Sequence, residues 1–354
     1  MKEVITMKPW EKNIRKVVPY VPGEQPQIEN VIKLNTNENP YPPSKKVLEA
    51  KYSLEKLRFY PDPAAKDLVE ALADYHNVKP EQVFVGVGSD DVLAMSFLTF
   101  FNSDKPILFP DITYSFYDVW ADLFRIPYET KKLNDNFEIQ ASDYYGLNGG
   151  VIFPNPNAPT GLAVSLDLIK DILEHNQDVV VIIDEAYIDF GGESALSLIS
   201  QYENLLVVRT FSKSRSMAGI RIGYAMGNSE LIKALNDVKY SYNSYTMNYP
   251  SIVLGVESIK DDEYFKTTVN KVIKTREWFK KELTALGFVY PDSSSNFVFA
   301  SHKNMAAKDI YEKAKEKNIY VRYFNKPRID NYLRISIGTK EEMETFVEFL
   351  KTIL

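Results

Sequence analysis

Three cations, Lys213, Arg215 and Arg221, follow Arg209 in the stretch "RTFSKSRSMAGIRIGYA", just after the apolar run "NLLVV". Lys213 lies just past this predicted buried strand, between two serines, where desolvation would favour the neutral amine and make it a nucleophile for an aldehyde. Arg221 lies in the apolar segment "AGIRIGYA" and therefore needs an anion to pair with. Arg215 fits the usual pattern of an arginine with a charged end in water, so we expect it to face solvent or a neighbouring subunit.

A carboxylate ends another apolar run, in "VVVIIDEAYIDF". Asp184 at the end of a buried strand would be costly without a cation or a hydrogen-bond donor. Tyr187 follows three residues later and is close enough to contact the same ligand. The alternative interpretation is a side chain that caps a turn at the strand end.

A glycine-containing turn in "VGVGSDD" joins a predicted strand to a predicted helix. Gly86 and Gly88 allow close approach of a ligand, and the free N–H groups of Ser89 and Asp90 would suit a phosphate. A plain turn with Ser89 as helix cap is the alternative. The fingerprint of dinucleotide binding fails because Asp91 stands at its third glycine position, and the Gly-Lys-Ser/Thr of a phosphate-binding loop is missing.

Two arginines lie in strand-like segments near the C-terminus, Arg322 in "YVRYF" and Arg334 in "NYLRISIG". An inward arginine on a strand can hold a carboxylate or phosphate by two hydrogen bonds. Simple alternation on a half-exposed strand explains either residue equally well.

These groups together describe one ligand. It offers an aldehyde to Lys213, a phosphate to the Gly-Ser turn, Ser212 and Arg221, and a cationic ring nitrogen to Asp184. Pyridoxal phosphate carries all three groups, and a carboxylate beside its ring nitrogen keeps the ring able to accept electrons. The residues therefore predict a pyridoxal phosphate site.

The surrounding elements alternate between short apolar runs and amphipathic segments. The runs "QVFVGVG", "KPILFP", "GGVIFP", "DVVVIIDEAY" and "NLLVVRT" lack polar alternation, as strands buried on both faces do. The pattern predicts an α/β fold with a mostly parallel central sheet. Three of the four candidate stretches follow a predicted strand, at the edge where open α/β sheets bind ligands.

The chain divides into three predicted parts. Residues 1–28, with four prolines, form an arm that packs on the small domain or on a dimer partner. Residues 29–245 form the large ligand-binding α/β domain. Residues 246–354 form a smaller α+β domain that starts with a long charged helix.

Composition excludes several classes of function. The chain has 354 residues, 45% of them apolar, and a net charge of −6, which favours a globular protein over a binder of nucleic acid or anionic membranes. It has no cysteine and only three scattered histidines, so a metal centre is not expected. Its apolar runs are too short to cross a bilayer and its start lacks a signal peptide pattern, which predicts a cytoplasmic protein.

The stretches "DEAYIDF", "RTFSKSRSMAGIRIGYA" and "NPNAPTG" resemble the aspartate-aminotransferase superfamily of fold-type I pyridoxal phosphate enzymes. The resemblance covers nearly the whole chain, including "LNTNENPYPPS", "RFYPDPAAKDL", "PDITYSFY" and "SSSNFVF". Within the superfamily it is greatest to the histidinol-phosphate aminotransferases. Threonine-phosphate decarboxylases and aromatic aminotransferases share most of these stretches and remain alternatives.

The resemblance implies roles for single residues. Lys213 would be the Schiff-base lysine and proton shuttle, Asp184 the partner of the ring nitrogen, Tyr187 the partner of the ring hydroxyl, and Tyr114 the ring that stacks on the cofactor. The phosphate would be held by Ser89, Asp90 through its backbone, Ser212, Arg221 and Tyr60 of the other subunit. Arg334 would take the acidic group of the substrate, helped by Arg322, Tyr20 and Asn37.

Two departures from the family pattern affect the site. Ala158 stands where "NPNNPTG" has the asparagine that bonds the ring hydroxyl, so we expect Asn157, or else Asn155, to replace it. The segment "YSYNSYTMNYPS" adds three tyrosines near the expected substrate end, Tyr242, Tyr245 and Tyr249. The alternative is that these tyrosines pack the domain junction.

The implied activity is a two-stage amino transfer in histidine biosynthesis, from the phosphorylated amino alcohol histidinol phosphate to a 2-oxo acid, 2-oxoglutarate. The implied assembly is a homodimer with shared active sites, without nucleic acid or membrane partners. A non-catalytic protein that binds the cofactor is disfavoured because Lys213 is intact and no DNA-binding domain is added.

Overall fold

Two β-sheets organise the chain. The computed structural model describes residues 8–354, so the first seven residues of the predicted N-terminal arm lie outside the described residues. A seven-stranded sheet forms the larger unit and a five-stranded sheet the smaller one.

The described residues form twelve strands and ten α-helices. The strands are β1 (Ile32–Leu34), β2 (Val83–Gly86), β3 (Ile107–Pro110), β4 (Tyr128–Lys131), β5 (Gly150–Pro154), β6 (Val181–Asp184), β7 (Leu205–Thr210), β8 (Gly223–Gly227), β9 (Phe288–Val289), β10 (Phe297–His302), β11 (Ile319–Tyr323) and β12 (Leu333–Ser336). The helices are α1 (Lys45–Leu48), α2 (Lys66–His76), α3 (Gly88–Phe100), α4 (Tyr117–Phe124), α5 (Leu166–Glu174), α6 (Ser229–Tyr242), α7 (Tyr249–Ile259), α8 (Asp262–Ala285), α9 (Ala307–Glu316) and α10 (Lys340–Ile353).

The larger sheet has the strand order β2-β8-β7-β6-β5-β3-β4. The pairs from β7 to β4 are parallel, while β8 runs antiparallel to both β2 and β7. Strands β3, β5 and β6 are buried along their whole length, because helices cover both faces of the sheet. This architecture confirms the predicted mostly parallel α/β fold.

The smaller sheet has the order β1-β11-β12-β10-β9 and is antiparallel except for the β1–β11 pair. Strand β1 lies in the range predicted for the large domain, yet it pairs with β11 through Leu34 and Val321. The division into domains stays a prediction. The pairing of β1 places residues 35–38 where the two sheets meet.

Apolar side chains form three clusters, two on the faces of the larger sheet and one around the smaller sheet. Five of the ten described α-helices have a side-chain cap at the N-terminus, namely α1, α5, α6, α7 and α10. Thr339 and Glu342, for example, form a reciprocal capping box at the start of α10. Helix α3 is among the five described helices without such a cap, since its N-cap residue Val87 offers no side-chain acceptor to the first N–H groups. In residues 8–354, no helix combines the length and the apolar character needed to span a membrane.

The contact between β8 and the start of α3 leaves no room for a side chain at Gly223. A Cβ built there would overlap the backbone of Gly88 and Ser89, which cannot move without displacing the helix. The glycine therefore fixes how closely α3 approaches the sheet.

We expect Gly223→Ala to lower the free energy of unfolding by about 3 kcal/mol or more, because overpacking against backbone has no flexible side chain to absorb it. Urea unfolding followed by circular dichroism would measure this. Gly219→Ala is the matched control, since nothing lies within 4 Å of a Cβ built at that exposed glycine. Equal stability of the two variants would contradict this account of the contact.

Candidate active site

A cavity of about 160 Å³ lies at the carboxyl ends of the parallel strands. Pro154 ends β5, Asp184 ends β6 and Thr210 ends β7, so the sheet topology brings all three to one edge. The lining residues are Thr36, Glu38, Ser89, Asp90, Tyr114, Pro154, Ala158, Asp184, Ala186, Tyr187, Thr210, Ser212, Lys213, Ala218 and Arg221.

The carboxylate of Asp184 is buried, with 4% of the residue exposed. Its Oδ2 accepts a hydrogen bond from the Tyr117 hydroxyl at 3.0 Å, and its Oδ1 accepts one from the Ala186 N–H at 3.2 Å. Within residues 8–354 no cation comes into ion-pair distance of it. Burial raises the pKa of Asp184 to about 6. At neutral pH the side chain is still mostly ionised, and it is then a buried anion that lacks a cationic partner.

The amine of Lys213 lies across the same cavity. Its Nζ donates to the carbonyl oxygen of Thr36 at 3.1 Å and lies 5.7 Å from the centre of the Tyr187 ring. Thr36 follows β1 of the smaller sheet, whereas Lys213 follows β7 of the larger one. The lysine is therefore held by a neutral acceptor at the junction of the two sheets.

The start of α3 and Arg221 form the other end of the cavity. Arg221 has φ 58° and directs its guanidinium to Asp90, at 3.2 Å, and to the Ser212 hydroxyl, at 3.3 Å. Gly88 has φ 82°, and a Cβ built on it would overlap this guanidinium. The predicted anion-binding residues thus meet in one place, where Ser89 and the helix start add unpaired N–H groups.

Both aspartates at the start of α3 form contacts of their own, and these contacts offset part of the repulsion that the carboxylates would exert on an anion. Asp90 pairs with Arg221 and accepts a hydrogen bond from the Tyr114 hydroxyl at 2.7 Å. Asp91 accepts one from the Val87 N–H at 2.9 Å. The side chain of Asp90 therefore takes part in the site, in addition to the backbone role expected for it.

Tyr187 is linked to the smaller sheet through Asn37. The Asn37 side-chain amide donates to the Tyr187 hydroxyl at 3.0 Å. Asn37 itself is 1% exposed, has φ 57°, and is fixed by two hydrogen bonds of 2.9 Å with the Ser336 hydroxyl. The hydroxyl of Tyr187 is thereby held at the cavity wall.

The two C-terminal arginines lie side by side, because Arg322 of β11 is the register partner of Arg334 of β12. Arg334 donates from Nη2 to the Asn35 carbonyl at 2.9 Å, while its buried Nε has no hydrogen-bond partner. Burial lowers the pKa of Arg334, which means that the site favours an anion beside it. Neither arginine lines the cavity of Lys213 itself.

Tyr20 and Tyr60 also lie outside that cavity. The Tyr20 ring stacks on Phe116 with the ring centres 4.2 Å apart. Tyr60 is 81% exposed and stacks on Tyr245 with the ring centres 4.6 Å apart. Within its own chain, Tyr60 therefore makes no contact with the cavity.

The structure does not bring Asn157 to the cavity. Its side-chain amide donates to the Ile112 carbonyl at 3.0 Å and its Oδ1 accepts from Thr113 at 3.2 Å, so it holds a loop. Asn155 is likewise engaged, accepting from the Val164 N–H at 3.0 Å. Ala158 is the member of this segment that lines the cavity.

The expectation that Arg215 faces solvent or another subunit is wrong for the described chain. Arg215 is 8% exposed and donates to the Ser258 carbonyl at 2.9 Å. Its guanidinium lies 4.2 Å from the centre of the Phe265 ring and 4.9 Å from that of Tyr75. Aromatic faces and a carbonyl, rather than water, satisfy this cation.

Some contacts in and beside the site were not predicted from the sequence. Tyr117 bonds Asp184, and the carbonyl of Thr36 bonds Lys213. Beside them, Glu185 forms a buried ion pair with Arg209 at 2.9 Å. The tyrosine lies within the quoted stretch "PDITYSFY", but a hydroxyl that bonds another side chain gives no signal in sequence spacing.

The cavity fits pyridoxal phosphate on the observations above. The buried carboxylate without a cation suits the protonated ring nitrogen, and Arg221 with the start of α3 suits the phosphate. The Lys213 amine lines the same cavity and is the nucleophile that the aldehyde would need.

Comparison with known proteins identifies the family of the chain. A family model described as aminotransferase class I and II matches residues 29–350. A histidinol-phosphate aminotransferase of Clostridium botulinum (strain Okra) is 53% identical over 349 residues, which cover 98% of this chain and 99% of the relative. That of Lactococcus lactis subsp. lactis is 50% identical over 347 residues, covering 98% of this chain and 96% of the relative.

Solved structures show the same fold. The crystal structure of histidinol-phosphate aminotransferase from Sinorhizobium meliloti, in complex with pyridoxal 5′-phosphate, superposes with a TM-score of 0.83 at 21% identity. The match covers 91% of this chain and 92% of that chain. The chain belongs to the aminotransferase class I and II family, which confirms the predicted fold-type I architecture and a pyridoxal-phosphate-dependent aminotransferase.

Proposed function

We propose that this protein is a histidinol-phosphate aminotransferase of histidine biosynthesis, which moves the amino group of histidinol phosphate onto 2-oxoglutarate. The observation that carries the reaction class is the buried carboxylate of Asp184 in one cavity with the amine of Lys213. The substrate is supported by the names of relatives that are at least 50% identical over nearly their whole length.

The cofactor would be held at three points. Arg221, Ser212 and the first N–H groups of α3 would hold its phosphate, and Tyr187 would donate to its ring hydroxyl. Asp184 would keep its ring nitrogen protonated, because an ionised carboxylate in a buried site favours a cation beside it. When bound, pyridoxal phosphate supplies an aldehyde that takes up the amino group and a ring that accepts electrons from the substrate α-carbon.

Lys213 would move the proton. Its Nζ is held by the Thr36 carbonyl, an acceptor that directs the amine without giving it a proton. The neutral amine would accept the proton that leaves the substrate α-carbon and donate it again later in the reaction. Nζ also lies 5.7 Å from the centre of the Tyr187 ring, which lines the same cavity.

Arg334 and Arg322 would bind the acidic group of the substrate. Histidinol phosphate has no α-carboxylate, so its phosphate would take the place that a carboxylate occupies in amino acid substrates. The unpartnered Nε of Arg334 offers a donor for this contact, and Arg322 adds a second charge from the neighbouring strand. Tyr20 and Asn37 would complete this end of the site.

The active form would be a homodimer in which each subunit completes the other's site. Four apolar residues in the segment around Tyr60 are more than half exposed, namely Leu54, Leu57, Phe59 and Tyr60. A contiguous exposed apolar segment of this kind favours coverage by another surface. A cytoplasmic location and the absence of nucleic acid and membrane partners stay predictions.

The substrate is tested by mixing the purified enzyme with histidinol phosphate, phenylalanine or O-phosphothreonine and following the visible absorbance of the bound cofactor. We expect histidinol phosphate to change the absorbance at least about 100-fold more efficiently than the other two, since phenylalanine brings no phosphate to Arg334 and Arg322, and O-phosphothreonine adds an α-carboxylate whose charge the site would have to satisfy as well. A preference for phenylalanine would indicate an aromatic aminotransferase. Release of carbon dioxide from O-phosphothreonine without an oxo acid would indicate a decarboxylase.

We expect Asp184→Asn to lower the turnover rate by at least about 100-fold, because an amide would not keep the ring nitrogen protonated and the ring would accept electrons less well. In the cofactor-free protein, however, we expect Asp184→Asn to raise the free energy of unfolding at neutral pH. The pKa of Asp184 is raised from 3.8 to about 6, so its contribution to stability is present at low pH and is lost as the pH rises through 6.

Between pH 4 and pH 8, the free energy of unfolding of the cofactor-free wild type should therefore fall by up to about 3 kcal/mol relative to that of Asp184→Asn. Urea unfolding of both proteins across this range gives the difference directly. Asp135→Asn, at an exposed position, is the control for the change from carboxylate to amide. If the difference in free energy of unfolding between wild type and Asp184→Asn stayed constant with pH, it would contradict a buried Asp184 carboxylate with a raised pKa.

The shared site is tested by mixing two inactive variants, Tyr60→Ala and Lys213→Ala, under conditions that exchange subunits. If Tyr60 serves the partner's cofactor, each mixed dimer contains one intact site, and activity should rise to about a quarter of the wild-type value because half of the dimers are mixed. Each variant alone, treated in the same way, is the control. If Tyr60 served its own chain, each mixed dimer would have two defective sites and activity would not return.

A further inference from the structure

We propose that Tyr117 is a positioning residue for the reaction, whose hydroxyl holds the carboxylate of Asp184 in the orientation that meets the ring nitrogen of the cofactor. The inference rests on the proposed role of Asp184. It assigns a function to a buried tyrosine that is not among the residues lining the cavity.

The ring of Tyr117 cannot move independently of the fold. Tyr117 is the first residue of α4, is 0% exposed, and has four aromatic neighbours with ring centres 5.8 to 6.4 Å away, namely Phe97, Phe109, Tyr114 and Trp120. A side chain packed on all sides in this way keeps one rotamer. Its hydroxyl is therefore a fixed donor.

The hydroxyl makes one hydrogen bond in the described structure, to Asp184 Oδ2 at 3.0 Å. A carboxylate offers about four acceptor positions, and the backbone N–H of Ala186 takes another of them through Oδ1. One donor on each oxygen fixes the rotation of the carboxylate plane. The remaining lone pairs of Asp184 are left for a group in the cavity, which it lines.

The charges around Asp184 make this donor significant. Asp90 and Glu185 both raise the pKa of Asp184, as burial does, and Glu185 is already paired with Arg209. Tyr117 and the Ala186 N–H lower it and so support the ionised form. Burial raises the pKa of Tyr117 well above its ordinary value, so the phenol stays protonated and donates throughout the neutral range.

A second tyrosine of the same segment acts in parallel at the other end of the cavity. Tyr114 donates to Asp90, which pairs with Arg221. The two tyrosines are three residues apart, immediately before and at the start of α4. One rigid segment thus holds the aspartate at the ring-nitrogen end and the aspartate at the phosphate end.

The test compares the affinity of the cofactor-free wild type and Tyr117→Phe for pyridoxal phosphate, measured by tryptophan fluorescence between pH 5 and pH 9. The variant keeps the ring packing and removes only the donor. We expect its affinity to fall about tenfold at pH 7.5, and the acid limb of binding to move up by about one pH unit, because a hydrogen bond to a charged group is lost.

The same titration with an analogue that has carbon in place of the ring nitrogen separates positioning from packing. Wild type and Tyr117→Phe should bind this analogue with affinities within about twofold of each other, because Asp184 then has no ring nitrogen to meet. Tyr144→Phe is the matched control for pyridoxal phosphate itself. Tyr144 is also buried, but its hydroxyl has no hydrogen-bond partner, so this variant should bind as the wild type does.

Equal affinities of wild type and Tyr117→Phe for pyridoxal phosphate, or an equal loss with the analogue, would overturn the role of Tyr117 alone. Equal binding of cofactor and analogue by the wild type would overturn the role of Asp184, and this inference with it. Should Tyr117→Phe fail to fold, a difluorotyrosine at position 117 keeps the shape and strengthens the donor. It should move the acid limb to lower pH, and an unmoved limb would count against the proposal.

Discussion

The burial of one carboxylate without a cation is the constraint on which this site depends. Asp184 ends a strand that is buried along its whole length, and within residues 8–354 its carboxylate has two neutral donors and no cation. Such a group destabilises the ligand-free chain at neutral pH, since desolvation of an anion outweighs two hydrogen bonds. A ligand that brings a cation to Asp184 therefore gains affinity, because it supplies the charged partner that the fold does not supply.

The topology of the larger sheet explains why the other functional groups meet this carboxylate. Strands β6 and β7 are parallel neighbours, so Lys213, just after β7, emerges on the same edge as Asp184. Strand β8 then returns antiparallel, which brings Arg221 before it to the start of α3 after β2. The smaller sheet closes the arrangement through β1, whose following residues offer the Thr36 carbonyl and the Asn37 amide.

The groups that could be predicted from the sequence are those whose setting is local. Asp184 and Lys213 follow apolar runs and Arg221 interrupts one, so their positions next to a strand, and the burial of Asp184, could be predicted from the neighbouring residues. The burial of Arg215 was not, because its environment comes from the aromatic residues Tyr75 and Phe265, far away in the sequence.

Hydrogen bonds between side chains that are far apart in the sequence could not be predicted from it either. Asn157 looked suited to the cofactor by position in a motif, but its amide is used by neighbouring backbone and hydroxyl groups. The pairing of β1 with β11, and with it the place of Asn37, depends on contacts across nearly three hundred residues. The polar residues of the finished site therefore fall into two kinds. Some are satisfied by the fold and serve as supports, while Asp184 and the Nε of Arg334 are left incompletely satisfied, and it is at these groups that a charged ligand has most to gain.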